Sequence, residues 1–94
     1  MTQFTVSVVI DGDTFEVANG WKWNGQTGSR VRPTGYDAPE INTIAGQQAK
    51  QKLARLIQGE VVNLAKAYKI DRGRLVCDVY FNGRNLADYF TEYQ

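Results

Sequence analysis

One stretch of this chain, Ala45 to Gln58, repeats its apolar residues at helical spacing, and the segments on either side of it do not. Ala45, Ala49, Leu53, Leu56 and Ile57 recur at three- and four-residue steps, the apolar stripe of an amphipathic helix. Gly59 follows where a left-handed C-terminal residue is expected. Before the helix, Phe4 to Ile10 sets Phe4, Val6, Val8 and Ile10 against Thr5, Ser7 and Val9, the period of a half-buried strand. Asp11-Gly12-Asp13 interrupts it with turn chemistry and Thr14 to Val17 resumes, which reads as a hairpin. Ser29 to Arg32 is a third strand, ended by Pro33, which cannot donate to a ladder. After the helix, Glu60 to Ile70 and Leu75 to Phe81 are two further strands joined by an Asp71-Arg72-Gly73-Arg74 turn. Asn82-Gly83 turns again, and Asn85 is placed to N-cap a short helix containing Leu86, Tyr89 and Phe90.

Five strands with a helix after the third fit a mainly β (α+β) fold: a five-stranded OB-fold barrel, with a short C-terminal helix. Closure would remove exposed sheet edges. The same order also fits an open α+β sheet. Ninety-four residues, 43% apolar and 12% aromatic, suit one globular domain over 1–94. Asn19-Gly20 and Asn24-Gly25 are turn signals around Trp21-Lys22-Trp23, whose tryptophans share a strand face and cover core or offer a stacking platform. The packing role is the expected one. On the polar side of the Ala45–Gln58 helix, Lys50, Lys52 and Arg55 read as a solvated face.

Several chemistries are excluded by what is missing. With no histidine, Ser-His-Asp, Cys-His and His-metal sites are out of reach, and one cysteine, Cys77, rules out an internal disulfide and a cysteine-based zinc site. Net charge is only +1, but residues 1–40 carry three basic and five acidic side chains and residues 41–94 carry eight and five. That asymmetry suits a cation site facing an anion-gripping surface. No segment has the length to span a membrane and no signal peptide opens the chain, so a cytoplasmic protein is the default expectation, with secretion left open. A monomer without membrane contact is expected.

Polar chemistry concentrates in three places: Asp11/Asp13, then Arg32 with Asp37 and Glu40, then Arg72/Arg74. Asp37 and Glu40 flank Ala38-Pro39, where the proline fixes its own φ and pushes Ala38 toward an extended conformation. Acids held close together call for a proton, a basic partner or a metal ion. If the strand ends converge, Asp13 and Asp37 can offer hard oxygen ligands to a divalent cation, with the Ala38 carbonyl and water completing its shell. Glu40 would then orient or deprotonate a water, and Arg32 and Arg74 would face each other across an anion. A phosphodiester needs this set of parts. Each piece also has an ordinary reading, as a hairpin turn, a capping acid or a surface ion pair.

Asp11-Gly12-Asp13-Thr14, Arg32-Pro33-Thr34-Gly35-Tyr36-Asp37-Ala38-Pro39-Glu40, Asp71-Arg72-Gly73-Arg74 and Gly83-Arg84-Asn85-Leu86 together resemble the motifs of staphylococcal nuclease-like (thermonuclease) domains, in order and over nearly the whole chain. The resemblance implies a five-stranded barrel in which Asp13 and Asp37 bind Ca²⁺, Glu40 serves the attacking water, and Arg32 and Arg74 contact the scissile phosphate. It implies endonucleolytic cleavage of DNA and RNA, leaving 3′-phosphates. A non-catalytic barrel binding nucleic acid or a protein is the alternative. The chain departs from the pattern at Pro33, in place of leucine, and in the last motif, which lacks its tyrosine. Tyr68, Lys69 and Arg72 are the candidates to hold substrate there.

Overall fold

In the computed structural model, which describes residues 2–94, strand composition and turn chemistry produce β1 (Gln3–Asp11), β2 (Thr14–Trp23) and β3 (Gln26–Pro33). The alternation expected along β1 breaks at a register shift between Val6 and Val8, which buries Val9 and exposes Val8. Helix α1 (Ile44–Ile57) follows, then β4 (Val61–Asp71), β5 (Arg74–Phe81) and a two-residue β6 (Arg84–Asn85). Antiparallel neighbours run β3-β2-β1-β4-β5, and a parallel pairing of β3 with β5 closes the circuit. This is the five-stranded OB barrel, with α1 between the third and fourth strands. The short C-terminal helix is a pair of 3₁₀ turns, Leu86–Tyr89 and Thr91–Tyr93. Asn85 caps the first of them, its side chain accepting from the Ala87 N–H at 2.9 Å.

Tight turns set the register. Asn24-Gly25, Arg72-Gly73 and Asn82-Gly83 each place both residues at positive φ, the conformation whose twist matches a two-residue hairpin. Asn19-Gly20 behaves differently from the turn expected there. Both residues have positive φ, but β2 runs straight through them and its pairing with β3 jumps from Glu16↔Arg30 to Trp21↔Gly28. The signal marks a bulge inside one long strand. Beyond it Trp21 is buried, its Nε1–H donating to the Arg30 carbonyl at 2.8 Å, and Trp23 packs against the core. The tryptophans therefore cover the barrel.

Helix α1 lies across the barrel with Gly46, Ala49, Leu53 and Ile57 buried. Ala45, expected on that stripe, is exposed and Gly46 takes its place. The helix stops at Gln58, and Gly59 at φ 81° donates its N–H to the Val6 carbonyl at 2.9 Å, tying the helix end to β1. Lys52, its side chain 42% exposed, does more than sit on a solvated face. Its ammonium donates to the Tyr89 carbonyl, pairs with Glu92 at 2.8 Å and sits 4.5 Å from the centroid of the Phe90 ring, clasping α1 to the C-terminal turns. Full burial of Phe15, Leu53, Leu64, Leu75 and Phe90 anchors the interior, each contributing about 1.5–3 kcal/mol relative to exposure. Among the described residues, no helix is long and apolar enough to cross a membrane.

Candidate functional site

The turn between β1 and β2 is held from three sides. Asp13 donates its backbone N–H to Asp11 Oδ1 at 3.1 Å, an Asx-type closure. Gly12 is required for space: a Cβ there would lie 2.6 Å from the Ala49 Cβ and 2.7 Å from the Ala38 Cβ. Its carbonyl accepts the Tyr36 hydroxyl at 2.8 Å, and the Tyr36 ring stacks on Phe90 with centroids 4.5 Å apart. Asp13 Oδ2 accepts the Ala38 N–H at 3.1 Å. Two acidic segments far apart in sequence are thus joined through backbone and side chain.

Arg32, next to last in β3, organises the second segment. Its Nη1 donates to the carbonyls of Pro33 (2.7 Å) and Tyr36 (3.0 Å), while Nη2 lies 2.8 Å from Asp37 Oδ1 and 3.6 Å from Asp13 Oδ2. Both aspartates therefore sit within ion-pair distance of one nitrogen. Their settings differ: the Asp37 side chain is 86% exposed and the Asp13 side chain 14%. The Asp37 N–H donates to the Tyr93 carbonyl at 3.0 Å, so the C-terminal turn pins the acidic loop from outside. Exposed Glu40 is fixed through its backbone, its carbonyl accepting from the Thr43 hydroxyl at 2.7 Å. Thr43 is also the N-cap of α1, accepting from the Gly46 N–H at 3.0 Å.

Pro33 leaves no broken ladder. The neighbouring Thr34 N–H donates to the Cys77 carbonyl on β5, so by strand alternation position 33 faces the β2 side, where pairing already ends at Phe15↔Val31. The shortened last motif is a two-residue hairpin that delivers Arg74 to the cleft. Its Nη1 donates to the hydroxyl of buried Thr14 at 3.1 Å and its Nη2 to Asp71 Oδ2 at 3.2 Å.

Asp13, Arg32, Asp37, Ala38, Glu40, Arg72 and Arg74 all line one cleft of about 330 Å³. Five carboxylates (Asp11, Asp13, Asp37, Glu40, Asp71) and three guanidinium groups border it, a formal surplus of two negative charges. Burial, and a hydrogen bond with the Asp11 side chain, raise the Asp13 carboxyl above its ordinary range, against the opposing pull of Arg32. Among the described residues, no three acidic, histidine or cysteine side chains converge closely enough to hold an ion by themselves. Lys69 lines an adjoining depression that shares Arg32 and Asp71 with the cleft. Tyr68 borders neither, and its hydroxyl donates to Asp78 Oδ2 at 3.0 Å.

Three supporting residues were not singled out from sequence. Tyr36 carried a signal, since a buried phenol needs a partner for its hydroxyl. Gly46 carried another, a glycine in the first turn of a helix. Thr14 and its link to Arg74 had none, because the contact spans 60 residues.

No family model matches the chain. It is 35% identical over 74 residues to an uncharacterised 38.1 kDa protein of Capnoides sempervirens, a match covering 68% of this chain and 22% of that protein. It is 36% identical over 56 residues to the staphylococcal-like nuclease CAN1 of Arabidopsis thaliana, covering 58% of this chain and 17% of that protein. The chain spans about a fifth of the length of these two relatives. A partial, distant likeness to a staphylococcal-like nuclease, carried on a five-stranded barrel, fits a nuclease-type domain.

Proposed function

We propose that residues 1–94 act as one nuclease-like domain that hydrolyses phosphodiester bonds in DNA, and in RNA, with Ca²⁺ as cofactor. The observation that carries this reading is the convergence of Asp13 and Asp37 on Arg32 in the cleft that also receives Glu40 and Arg74. The partial likeness to CAN1 supports it. The donor set fits a hard divalent cation: every candidate ligand is an oxygen, and the cleft's formal surplus of two negative charges would offset such an ion's two positive ones. Asp13, Asp37 and the Ala38 carbonyl would hold it, and when bound it would neutralise charge and polarise the phosphoryl group.

The protein's own groups supply the rest. Glu40, anchored by its backbone and open to solvent, directs the attacking water and takes its proton. Arg32 and Arg74 stabilise charge that grows on the phosphoryl oxygens. Both are oriented beforehand, Arg32 by two carbonyls and Arg74 by Thr14 and Asp71, so little reorganisation accompanies reaction. Arg72, exposed at the hairpin tip, contacts a neighbouring phosphate. The test is incubation of single- and double-stranded DNA and RNA with Ca²⁺, Mg²⁺ or EDTA. Cleavage that needs Ca²⁺ and stops in EDTA is expected. Retention of intact nucleic acid without any cleavage would make the barrel a binding module instead.

A further inference from the structure

Resting on the nuclease reading above, we infer that the outer face of β4 and β5 carries the single-stranded segment flanking the scissile bond, with Tyr68 as a base platform and Lys66 and Lys69 on phosphates. The first observation is register. Pairing along β4 runs Leu64↔Val79, Ala67↔Cys77, Lys69↔Val76, so β4 inserts an extra residue twice within six positions. Bulges of this kind re-aim side chains beside functional sites. Here they leave Lys66, Tyr68 and Lys69 all exposed on a strand whose inward residues, Val62 and Leu64, are buried.

The second observation is how Tyr68 is held. Its ring is 49% exposed, which strict alternation beside a packed core does not require. Its hydroxyl donates to one oxygen of Asp78 while the Thr34 hydroxyl donates to the other. Both oxygens of the acid on this face are thus occupied. The Lys66 ammonium lies 5.1 Å from the ring centroid. An exposed aromatic fixed at its polar end, with a cation over one ring face, offers its other face to an unpaired base and the cation to that base's phosphate.

Continuity supplies the third. A depression of about 300 Å³ lined by Thr34 and Lys69 shares Arg32 and Asp71 with the proposed catalytic cleft. A strand leaving Arg32 along this depression meets Lys69, and the Tyr68 ring is tied to its Thr34 wall through Asp78. Bases of a duplex are stacked and paired inside it, so the face selects single strands.

The test is fluorescence anisotropy of a short labelled oligothymidylate, and of a labelled hairpin duplex, with the Glu40→Gln chain as parent to suppress turnover. Adding Tyr68→Ala is expected to weaken single-strand binding roughly 5- to 150-fold, the range one base–aromatic stack supplies, with Tyr68→Phe, which keeps the ring but not its tie to Asp78, losing less and the duplex little affected. Lys66→Ala with Lys69→Ala is expected to reduce the salt slope by about 0.7 per lysine removed. Oligothymidylate binding that is unchanged in Tyr68→Ala and in the lysine pair would overturn the inference. So would a parent that retains no oligothymidylate, which would leave the face to a protein partner. Cleavage by the wild type with binding unchanged in these variants would discard the face and keep the cleft chemistry. Binding lost in Tyr68→Ala, with no cleavage by the wild type, would keep the face and discard the chemistry.

Discussion

Gly46 illustrates how a residue can matter through the atom it lacks. A Cβ there would fall 1.7 Å from the Glu40 carbonyl oxygen, so the first turn of α1 rests directly on the backbone that carries the proposed water-directing acid. In an open helix, alanine for glycine gains about 0.5–1 kcal/mol. Gly46→Ala is expected to do the reverse, losing about 1–3 kcal/mol in urea denaturation through overpacking. Activity is expected to fall with it, since displacing Glu40 by part of an ångström spoils alignment. Tyr36→Phe makes a complementary case. The stack on Phe90 survives, but the Gly12 carbonyl loses its donor, and a loss of about 1–3 kcal/mol is expected from urea melts. That Asp13, Asp37, Glu40, Arg32 and Arg74 gather in one cleft was legible in the sequence, because motif and turn chemistry mark them. Gly46 and Tyr36 carried only a faint signal, because their importance lies in distances to residues elsewhere in the chain.

At the scale of elements, the Asp71–Arg74 hairpin shows that a shorter turn still presents its arginine. The left-handed Arg72-Gly73 pair brings the strand round in two residues, and Thr14 and Asp71 fix the guanidinium that follows. Thr14→Val keeps the shape of the buried side chain and removes one acceptor. It is expected to lower the single-turnover cleavage rate about tenfold, less than the hundred- to thousandfold of deleting a charge-stabilising donor outright. Strand order, the helix and the hairpin turns followed from period and turn residues. The Asn19-Gly20 bulge did not, because the same dipeptide that reverses a chain also accommodates extra residues in one strand. The clasp made by Lys52 was missed for a similar reason. Helical periodicity assigns a face, but the C-terminal turns that cover that face come from more than thirty residues away.

Across the whole molecule, buried ionisable groups shape stability at high pH. Burial pushes the Cys77 thiol up to about 12 from an ordinary 9.0, with the neighbouring Asp78 adding to it, and burial raises the Tyr36 phenol as well. Between those values the unfolded chain has released the Cys77 proton and the folded chain has not. The folded state therefore binds more protons, and stability falls as pH rises through that window. The urea midpoint is expected to drop between about pH 8 and about pH 11, and less steeply in Cys77→Ala. Closure of the barrel by β3 and β5 is also what brings Arg32 and Arg74 to one cleft, since Arg30 pairs with Arg74 and Arg32 with Val76 in that parallel register. Fold and site are consequences of the same pairing. The decisive measurement for the cleft is the single-turnover cleavage rate of labelled single-stranded DNA in Ca²⁺ for the wild type, Glu40→Gln and Arg74→Ala. A Ca²⁺-dependent wild-type rate that falls about 10²–10³-fold in each variant is the expected result. Variants that cleave as fast as the wild type would contradict it.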